Sequence, residues 1–443
     1  MPSERQEVDQ RAEDVAEVGG LLSGRRILLG SWDLFSSRAA GIGRYGRQLI
    51  RDLGPTAAEL SVLWNCPRVG SPEVQEALLY RDPAQLRFSL IRTARTALKA
   101  LFRPAKSQEF IPPGSVIPPP SGAGWRRCID SVEILPNCYR LSFKLTQHFG
   151  RPLRVKTSRP VDLWHAIKPL AIRVDGASFV VTMHDLVPVL LPYTSATDPR
   201  EFLSRLNFAS RYADAIITVS DHTKEDLLRL SDIPEERIFT VHPAVSLSSE
   251  PMAERDVAAR LRPMGLEPGG YILFCSTIEP RKNLIQLMEA LSSLPDAPPL
   301  VICGREGWLS EETVQMIDLM EKENRVIRPG YVSDVRLRAL YAGALFLAFP
   351  SLYEGFGFPA AEAMAHGCPV LTSRVASLPE VCGEAALYVD PRDREDIAEK
   401  LRMMIEDEGL RRELAARGNE RVLKFSRAAF QRRIAEVYSS VMG

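Results

Sequence analysis

Two glutamates eight residues apart, Glu354 and Glu362, flank the turn Gly355-Phe356-Gly357-Phe358-Pro359, where an apolar run over 344–349 gives way to a helical pattern. Glycines let a backbone approach a ligand closely, and proline suits the first position of a helix. The amides around Gly357 and Phe358, with Pro359 behind them, would then form an anion site at a helix N-terminus. Glu362, expected in the first turn of that helix, can chelate a vicinal diol through two short charge-assisted hydrogen bonds. Glu354 stands in the loop on the other side of the same anion site. A second such place is Ser276-Thr277-Ile278-Glu279-Pro280-Arg281-Lys282-Asn283, between a strand end and another helix start. Arg281 supplies a planar fork and Lys282 a point charge beside the positive end of a helix dipole. Together they suit a diphosphate. The chain contains no Asp-x-Asp tripeptide, so cations and helix dipoles are favoured over a bound metal for neutralising it. No metal and no cofactor is expected.

The elements that must position these residues alternate along most of the chain. Short β-branched runs at 25–32, 60–64, 178–184, 215–219 and 237–242 alternate with helical patterns at 43–53, 199–211 and 221–230. The second half repeats the alternation, with strands at 271–275, 299–303, 325–328, 344–349 and 369–372 and helices at 283–294, 310–323, 334–342, 359–366 and 393–408. Alternation of this kind predicts parallel α/β sheets. The polar stretch 247–269 reads as the connection between two doubly wound domains, whose ligands would lie at the carboxyl ends of the strands, across a cleft. The expected organisation is a mobile tail over 1–24, a first Rossmann-like domain over 25–250, a second over 251–425 and a C-terminal helix over 426–443 returning to the first domain. The Pro-rich stretch 104–120 reads as a surface excursion.

Composition narrows the function classes. The 443 residues carry 56 Lys+Arg against 56 Asp+Glu, a net charge of +0 that removes any global electrostatic case for binding nucleic acid. The longest apolar runs are far shorter than the roughly 18 residues a membrane span needs. The first 20 residues lack the pattern of a secretory signal. The 7 cysteines show no C-x-x-C spacing, which fits a reduced, cytoplasmic protein.

The Glu354-x7-Glu362 segment, with its continuation EAMAHGCPVLTSRVASLPEVCGEAALYVDP, resembles the retaining glycosyltransferases of family 4, and the likeness runs from about Ile27 to Phe430. It implies the GT-B fold, two Rossmann-like α/β domains facing each other across a cleft. It also implies that Glu362 binds the nucleotide ribose, Glu354 the donor sugar, Arg281 and Lys282 the diphosphate, and the turn Gly330-Tyr331-Val332 the base. In the first domain Ala40-Gly41-Ile42-Gly43-Arg44-Tyr45 resembles the family's glycine loop, which approaches donor phosphate and acceptor from the opposite wall. His184-Asp185 is similar to its sugar-facing histidine. The GIGRY loop, HDLVP and VSDHTKEDL are most similar to bacterial mannosyltransferases that use GDP-mannose for surface polysaccharides, with UDP- and dTDP-sugar enzymes as the alternative. Two positions depart from the family: Ser276 replaces a usual glycine, and Arg427 a common tryptophan.

Blander readings compete with each of these. Gly41-x-Gly43-x-x-Gly46 spells a dinucleotide fingerprint, but the second strand ends at Asn65 rather than at an acid for a ribose. Glu354 and Glu362 alone could be acids satisfying a helix dipole, and His184 a core histidine at a strand end. The segment 87–106 carries six basic residues and no acid. A basic amphipathic helix there would lie on anionic membrane lipid or pack on its own domain. The reading that follows is transfer of a hexosyl unit, mannosyl above others, from a nucleotide sugar to a hydroxyl of a lipid-linked or growing oligosaccharide. The resemblance implies retention at the anomeric carbon. A non-catalytic nucleotide-sugar-binding protein is the alternative.

Overall fold

The computed structural model describes residues 20–30, 34, 41–56, 58–78, 99–112, 124–245, 252–330 and 332–443. The fold is α/β and built on two sheets. Most strands are buried on both faces, as in β1 (Arg26–Gly30) and β15 (Phe346–Phe349), so they read as continuous apolar runs rather than alternating ones. The first sheet also holds β2 (Glu59–Trp64), β4 (Gln108–Phe110), β5 (Ser131–Ile134), β7 (Leu163–Ala166), β9 (Ser178–Met183), β10 (Ala215–Thr218) and β11 (Ile238–Thr240). Its order is β11-β10-β9-β7-β1-β2-β5-β4, parallel except for β4 at the edge. A small sheet of β3 (Ala105–Lys106), β6 (Leu153–Lys156) and β8 (Ile172–Val174) lies beside it. The second sheet contains β12 (Ile272–Cys275), β13 (Leu300–Cys303), β14 (Val326–Ile327), β15, β16 (Val370–Ser373) and β17 (Ala386–Val389), all parallel in the order β14-β13-β12-β15-β16-β17.

Strand order reverses between β1 and β7 in the first sheet and between β12 and β15 in the second. Loops leaving adjacent strands at such a point diverge to opposite faces and open a crevice. The segments after β12 and β15 are the ones that carry Arg281, Lys282, Glu354 and the Gly357 turn.

Six helices carry the residues around that crevice or pack against those that do: α1 (Gly41–Leu53), α2 (Asp221–Leu230), α3 (Glu254–Leu261), α4 (Asp334–Gly343), α5 (Phe358–Ala365) and α6 (Arg427–Met442). Helix α6 lies on the first half of the chain. There Arg427 pairs with the fully buried Asp52, Gln431 Nε2 donates to the Asp52 carbonyl at 2.7 Å, and Ser178 Oγ donates to the Val441 carbonyl at 2.8 Å. Burial pushes the Asp52 carboxyl up to about 6 against the opposing pull of Gln48 and Arg427. The departure at Arg427 thus gives α6 an ionic anchor.

The sequence reading needs correction at several places. Leu22 is fully buried, so the ordered first half starts before residue 25, while residues 1–19 lie outside the described set. The connection 247–269 holds a real helix, α3, which buries Val257 and Leu261 against α4; residues 246–251 are not described. Residues 87–98 of the basic segment also lie outside, but a single amphipathic helix to residue 106 is excluded. Helix ends at Lys99–Ala100, Pro104 follows, and Ala105–Lys106 is a strand paired with Val155 and Lys156. The Pro-rich excursion likewise begins as β3 and the sheet edge β4. Its residues 113–120 are not described.

Candidate functional site

The loops after β12 and β15 are fastened to one another. Leu352 N donates to the Arg281 carbonyl at 2.8 Å, and Asn283 Nδ2 reaches the carbonyls of Pro350 and Pro391 at 3.0 and 2.7 Å. Arg281 and Lys282 occupy a single 3-10 turn, Pro280–Lys282, that ends at Asn283 in the left-handed region. That turn directs both cations at Glu354. Lys282 Nζ donates to Glu354 Oε1 at 2.7 Å, and Arg281 Nη1 lies 2.9 Å from Glu354 Oε2. Arg281 also donates from Nη2 to Glu279 Oε1 at 2.6 Å and from Nη1 to the Tyr353 carbonyl at 2.6 Å. Lys282, Glu354 and Glu279 are all buried. Burial alone would raise the Glu354 carboxyl, but Arg281 and Lys282 hold it at about 2. Burial, with Arg281 alongside, lowers the Lys282 ammonium. The two predicted diphosphate cations are therefore brought together, and each already faces a carboxylate.

Glu362 sits differently. Gly357, at φ 97°, takes the left-handed conformation that starts α5 at Phe358, so Pro359 is the second helical residue and Glu362 falls past the first turn rather than in it. Ala360 N and Ala361 N both donate to the Gly357 carbonyl, and proline has no N–H. At most the amides of Gly357 and Phe358 remain for an anion. Glu362 Oε1 lies 2.9 Å from Arg44 Nη1, which belongs to the other half of the chain, and Glu362 Oε2 accepts from Tyr341 Oη at 3.1 Å. Tyr341 is buried on α4, and that burial raises its phenol well above the ordinary value.

The opposite wall comes from the first half. Gly43 and Arg44 lie in the first turns of α1, the helix expected from residue 43, which begins at Gly41 and takes in the stretch that the resemblance gives as a glycine loop; Ala40 is not described. His184 follows β9, and its Nε2 is 2.8 Å from the Ile167 carbonyl. A carbonyl only accepts, so that nitrogen carries the proton. The Tyr45 ring meets the imidazole edge-on at 5.0 Å. Val332 packs on the donor-half core after Gly330, which has φ 73°; Tyr331 lies outside the described residues. His165, given no role in the sequence, is a core histidine held by Tyr438 Oη at 2.6 Å and Thr182 Oγ1 at 2.7 Å. Its pKa falls to about 3 through burial and the neighbouring His184.

Contacts between the halves converge on the Glu354 loop. The Gly355 carbonyl accepts from Ser220 Oγ at 2.6 Å and Thr223 Oγ1 at 3.3 Å. A Cβ on Gly355 would stand 1.9 Å from the His184 carbonyl oxygen, so only glycine permits this approach. Glu380 crosses from the donor half to the start of α2, accepting from the amides of Asp221 at 2.8 Å and His222 at 3.0 Å, and lies 2.6 Å from His242 Nε2. Asp221, His242 and Glu380 could hold an ion among the described residues. Glu380 is already spent as a helix cap.

Sequence reasoning gave no individual role to Arg44, Gly355 and Glu279, which lie within the segments it singled out, and did not single out Tyr341 or Glu380. Arg44 was visible as the one cation inside the glycine-rich start of α1, and Gly355 as the residue directly after Glu354. Nothing in the sequence signals that Tyr341 lies on Glu362.

Comparison with known proteins extends this geometry. Residues 39–249 match the family described as Glycosyltransferase Family 4, and residues 265–421 the family described as Glycosyl transferases group 1. The chain is 35% identical over 252 residues to O-antigen chain mannosyltransferase B of Escherichia coli, covering 56% of this chain and 66% of that one. It is 33% identical over 261 residues to the serotype-specific mannosyltransferase WbdA of Escherichia coli, covering 56% of this chain and 31% of that one. The matches thus span just under two thirds of the first relative and about a third of the second. A crystal structure of Anabaena Alr3699/HepE in complex with UDP and glucose superposes with a TM-score of 0.66 at 18% identity, over 94% of this chain and 100% of that one. At that identity the likeness establishes the fold.

Proposed function

The chain belongs to the glycosyltransferases of family 4, with the GT-B fold, and on that premise we propose that it transfers a hexosyl unit, mannosyl above others, from a nucleotide sugar to a saccharide hydroxyl in surface polysaccharide synthesis. The observation that carries this reading is the meeting of Arg281, Lys282, Glu354 and Glu362 at the switch point of the donor-half sheet, with Arg44 and His184 opposite. A nucleotide sugar has a vicinal diol, a diphosphate and a sugar in that order, and the site offers Glu362, the Arg281-Lys282 turn with the Gly357 and Phe358 amides, and then the Glu354 and His184 region. The mannosyltransferase relatives favour GDP-mannose as donor and a lipid-linked or growing oligosaccharide as acceptor. A UDP- or dTDP-sugar is the competing donor, and the UDP and glucose complex of the structural neighbour keeps it in play.

In the proposed reaction the bond between the anomeric carbon and the β-phosphate oxygen breaks, and charge develops on that oxygen. Arg281, Lys282 and the Gly357 and Phe358 amides stabilise it more in the transition state than in the ground state. Glu354 sets the position of both cations and does not attack. The departing phosphate takes the acceptor's proton on the same face, which gives retention without a free carboxylate base. Closure across the Gly355 contact excludes water from the oxocarbenium-like species. The site works through side-chain cations, so no divalent ion is required. Among the described residues no helix is long and apolar enough to cross a membrane, and any approach to lipid would use the region that includes 87–98.

The test is a panel of GDP-mannose, UDP-glucose, UDP-N-acetylglucosamine and dTDP-sugars with a mannose-bearing acceptor, in the presence of a chelator. The expected result is acceptor-dependent GDP release and an α-linked product by NMR. Failure to bind any nucleotide sugar would overturn the activity. A β-linked product would overturn retention, and silence in chelator reversed by Mg²⁺ would overturn metal independence.

A further inference from the structure

Beside the cleft, the two halves of the chain share an exposed apolar patch that the donor does not need. Trp308, in the loop after β13, leaves 38% of its surface open, while its Nε1 donates to the Thr194 carbonyl of the other half at 2.8 Å. Tyr193, next to that carbonyl, is 64% exposed, and Leu309, next to the indole, is 56% exposed. Trp64, Trp125 and Trp164 are buried, so Trp308 is the one open indole among the described residues. Large apolar side chains clustered at the surface mark a place of contact.

Both sides of the patch lead back to the reacting end of the site. On the donor side, Ile278 N donates to the Arg305 carbonyl and Gly307 N to the Ile278 carbonyl, each at 2.9 Å. The loop that carries Trp308 is thereby tied to the segment that ends in Arg281. A Cβ on Gly304 would stand 1.7 Å from the Ser276 carbonyl oxygen, so glycine is required for that close approach. Leu309 takes φ 50°, a left-handed conformation that a leucine adopts only under constraint from its surroundings. On the other side, the 3-10 turn Pro192–Thr194 begins eight residues after His184. The indole and the phenol are thus carried by the two segments that also carry Arg281 and His184.

A pyranose has a flat face of polarised C–H groups and a rim of hydroxyls. That face fits the negative face of an aromatic ring, and the hydroxyls then turn to polar neighbours. Arg305 and Glu306, both exposed, adjoin Trp308 in the same loop. The indole N–H is already committed to Thr194, so the ring surface is what the residue offers. Three partly open side chains fall short of the roughly 1,000 Å² that a stable protein interface buries, but they match one or two sugar rings. We propose that Trp308 and Tyr193 form an aromatic subsite for the acceptor saccharide, stacking on pyranose rings behind the one whose hydroxyl attacks. The proposal deepens the glycosyltransferase reading of the cleft and rests on it. It adds that the acceptor is held as a chain of sugars rather than as a single ring, by one residue from each half.

Tryptophan emission of the wild-type chain is followed during titration with α-linked mannotriose, maltotriose and methyl α-mannoside, and binding of GDP and UDP is measured separately by calorimetry. At least one trisaccharide is expected to move the emission saturably to shorter wavelength, with the monosaccharide about ten-fold or more weaker. Trp308→Phe should lose that shift. In transfer assays Trp308→Ala should raise the acceptor KM by about ten-fold and leave the donor KM within about two-fold. Trp308→Phe, which keeps a flat ring without the N–H, should recover most of the acceptor affinity, and Tyr193→Ala should raise the acceptor KM by a smaller factor. An emission that answers to neither trisaccharide, or an unchanged acceptor KM in Trp308→Ala, would overturn the proposal. So would equal damage from the phenylalanine and alanine variants, since the bond to Thr194 rather than the ring would then be the role of Trp308. A wild-type chain that binds neither diphosphate would instead fail the nucleotide-sugar reading, and a saturable trisaccharide response in that chain would still support the saccharide subsite.

Discussion

Glu354 and Glu362 stand on either side of one glycine turn, yet the fold uses them in opposite ways. Glu354 is buried within the donor half, with both oxygens on cations of the same half. Glu362 lies at the cleft, with one oxygen on Tyr341 of its own half and the other on Arg44 of the opposite one. The first arrangement pairs Glu354 with cations of its own half alone. The second exists only when the halves are together. A spacing of eight residues across a turn thus separates an electrostatic scaffold within one half from a contact between the two halves.

The sharpest way to break that contrast is to remove a cation from each pair. Lys282→Ala leaves the buried carboxylates in excess, and breaking a buried pair of this kind costs on the order of 3 kcal/mol. The expected outcome is a clear fall in the unfolding temperature together with loss of transfer. Glu362→Gln disturbs a half-exposed pair, for which a loss under about 1 kcal/mol is expected, so its unfolding curve should overlay wild type while nucleotide affinity falls. Equal destabilisation of the two variants would show that Glu354 and Glu362 are not distinct in kind.

Gly355 lies between the two carboxylates and tests the contact from the backbone side. In Gly355→Ala the new methyl would meet the His184 carbonyl oxygen at 1.9 Å, and the hydrogen bonds from Ser220 and Thr223 to the Gly355 carbonyl hold that spot in place. The strands and helices that build the core are untouched by the change, so the variant should fold. The halves should not close, and transfer should fall by about a hundred-fold, as expected when reacting groups are misplaced by an ångström. Small-angle scattering would register the change as a larger radius of gyration. Unaltered turnover would mean that this approach of the two halves is not part of the cycle.

The sequence made the scaffold side of this contrast legible and the contact side largely not. Strands such as β12 and β15 announce themselves because continuous apolar runs of four residues, with glycines just before β12 and a proline just after β15, fit few other elements. Arg281, Lys282, Glu354 and Glu362 were found because each adjoins a helix start in the sequence. β7, central in the first sheet between β1 and β9, passed unseen. Its four residues, Leu163-Trp164-His165-Ala166, are short and carry a histidine that only the fold buries. The pairing of Arg44 with Glu362 spans more than three hundred residues and depends on how two sheets face each other, which no local pattern encodes. The helical pattern places the start of α1 at residue 43, whereas the helix begins at Gly41, although glycine is a poor helix former. Here tertiary packing of Tyr45 and Leu49 overrides that preference.

The smallest effect falls on Tyr341, which joins the two roles. Its ring belongs to the buried core of the donor half, while its hydroxyl donates at 3.1 Å to the carboxylate that opens to the cleft. Tyr341→Phe keeps the packing and removes the hydrogen bond, a change of about 1 kcal/mol or less. If that bond serves only the core, the loss should appear in thermal unfolding and leave nucleotide affinity alone. If it aims Glu362 at the ribose diol, stability should hold and the donor KM should rise by about three- to five-fold with kcat unchanged, because the interaction is equally strong in ground and transition states. The second result is expected. Glu362 Oε1 is held across the cleft by Arg44, so the bond to Oε2 is the one by which the donor half itself orients the carboxylate.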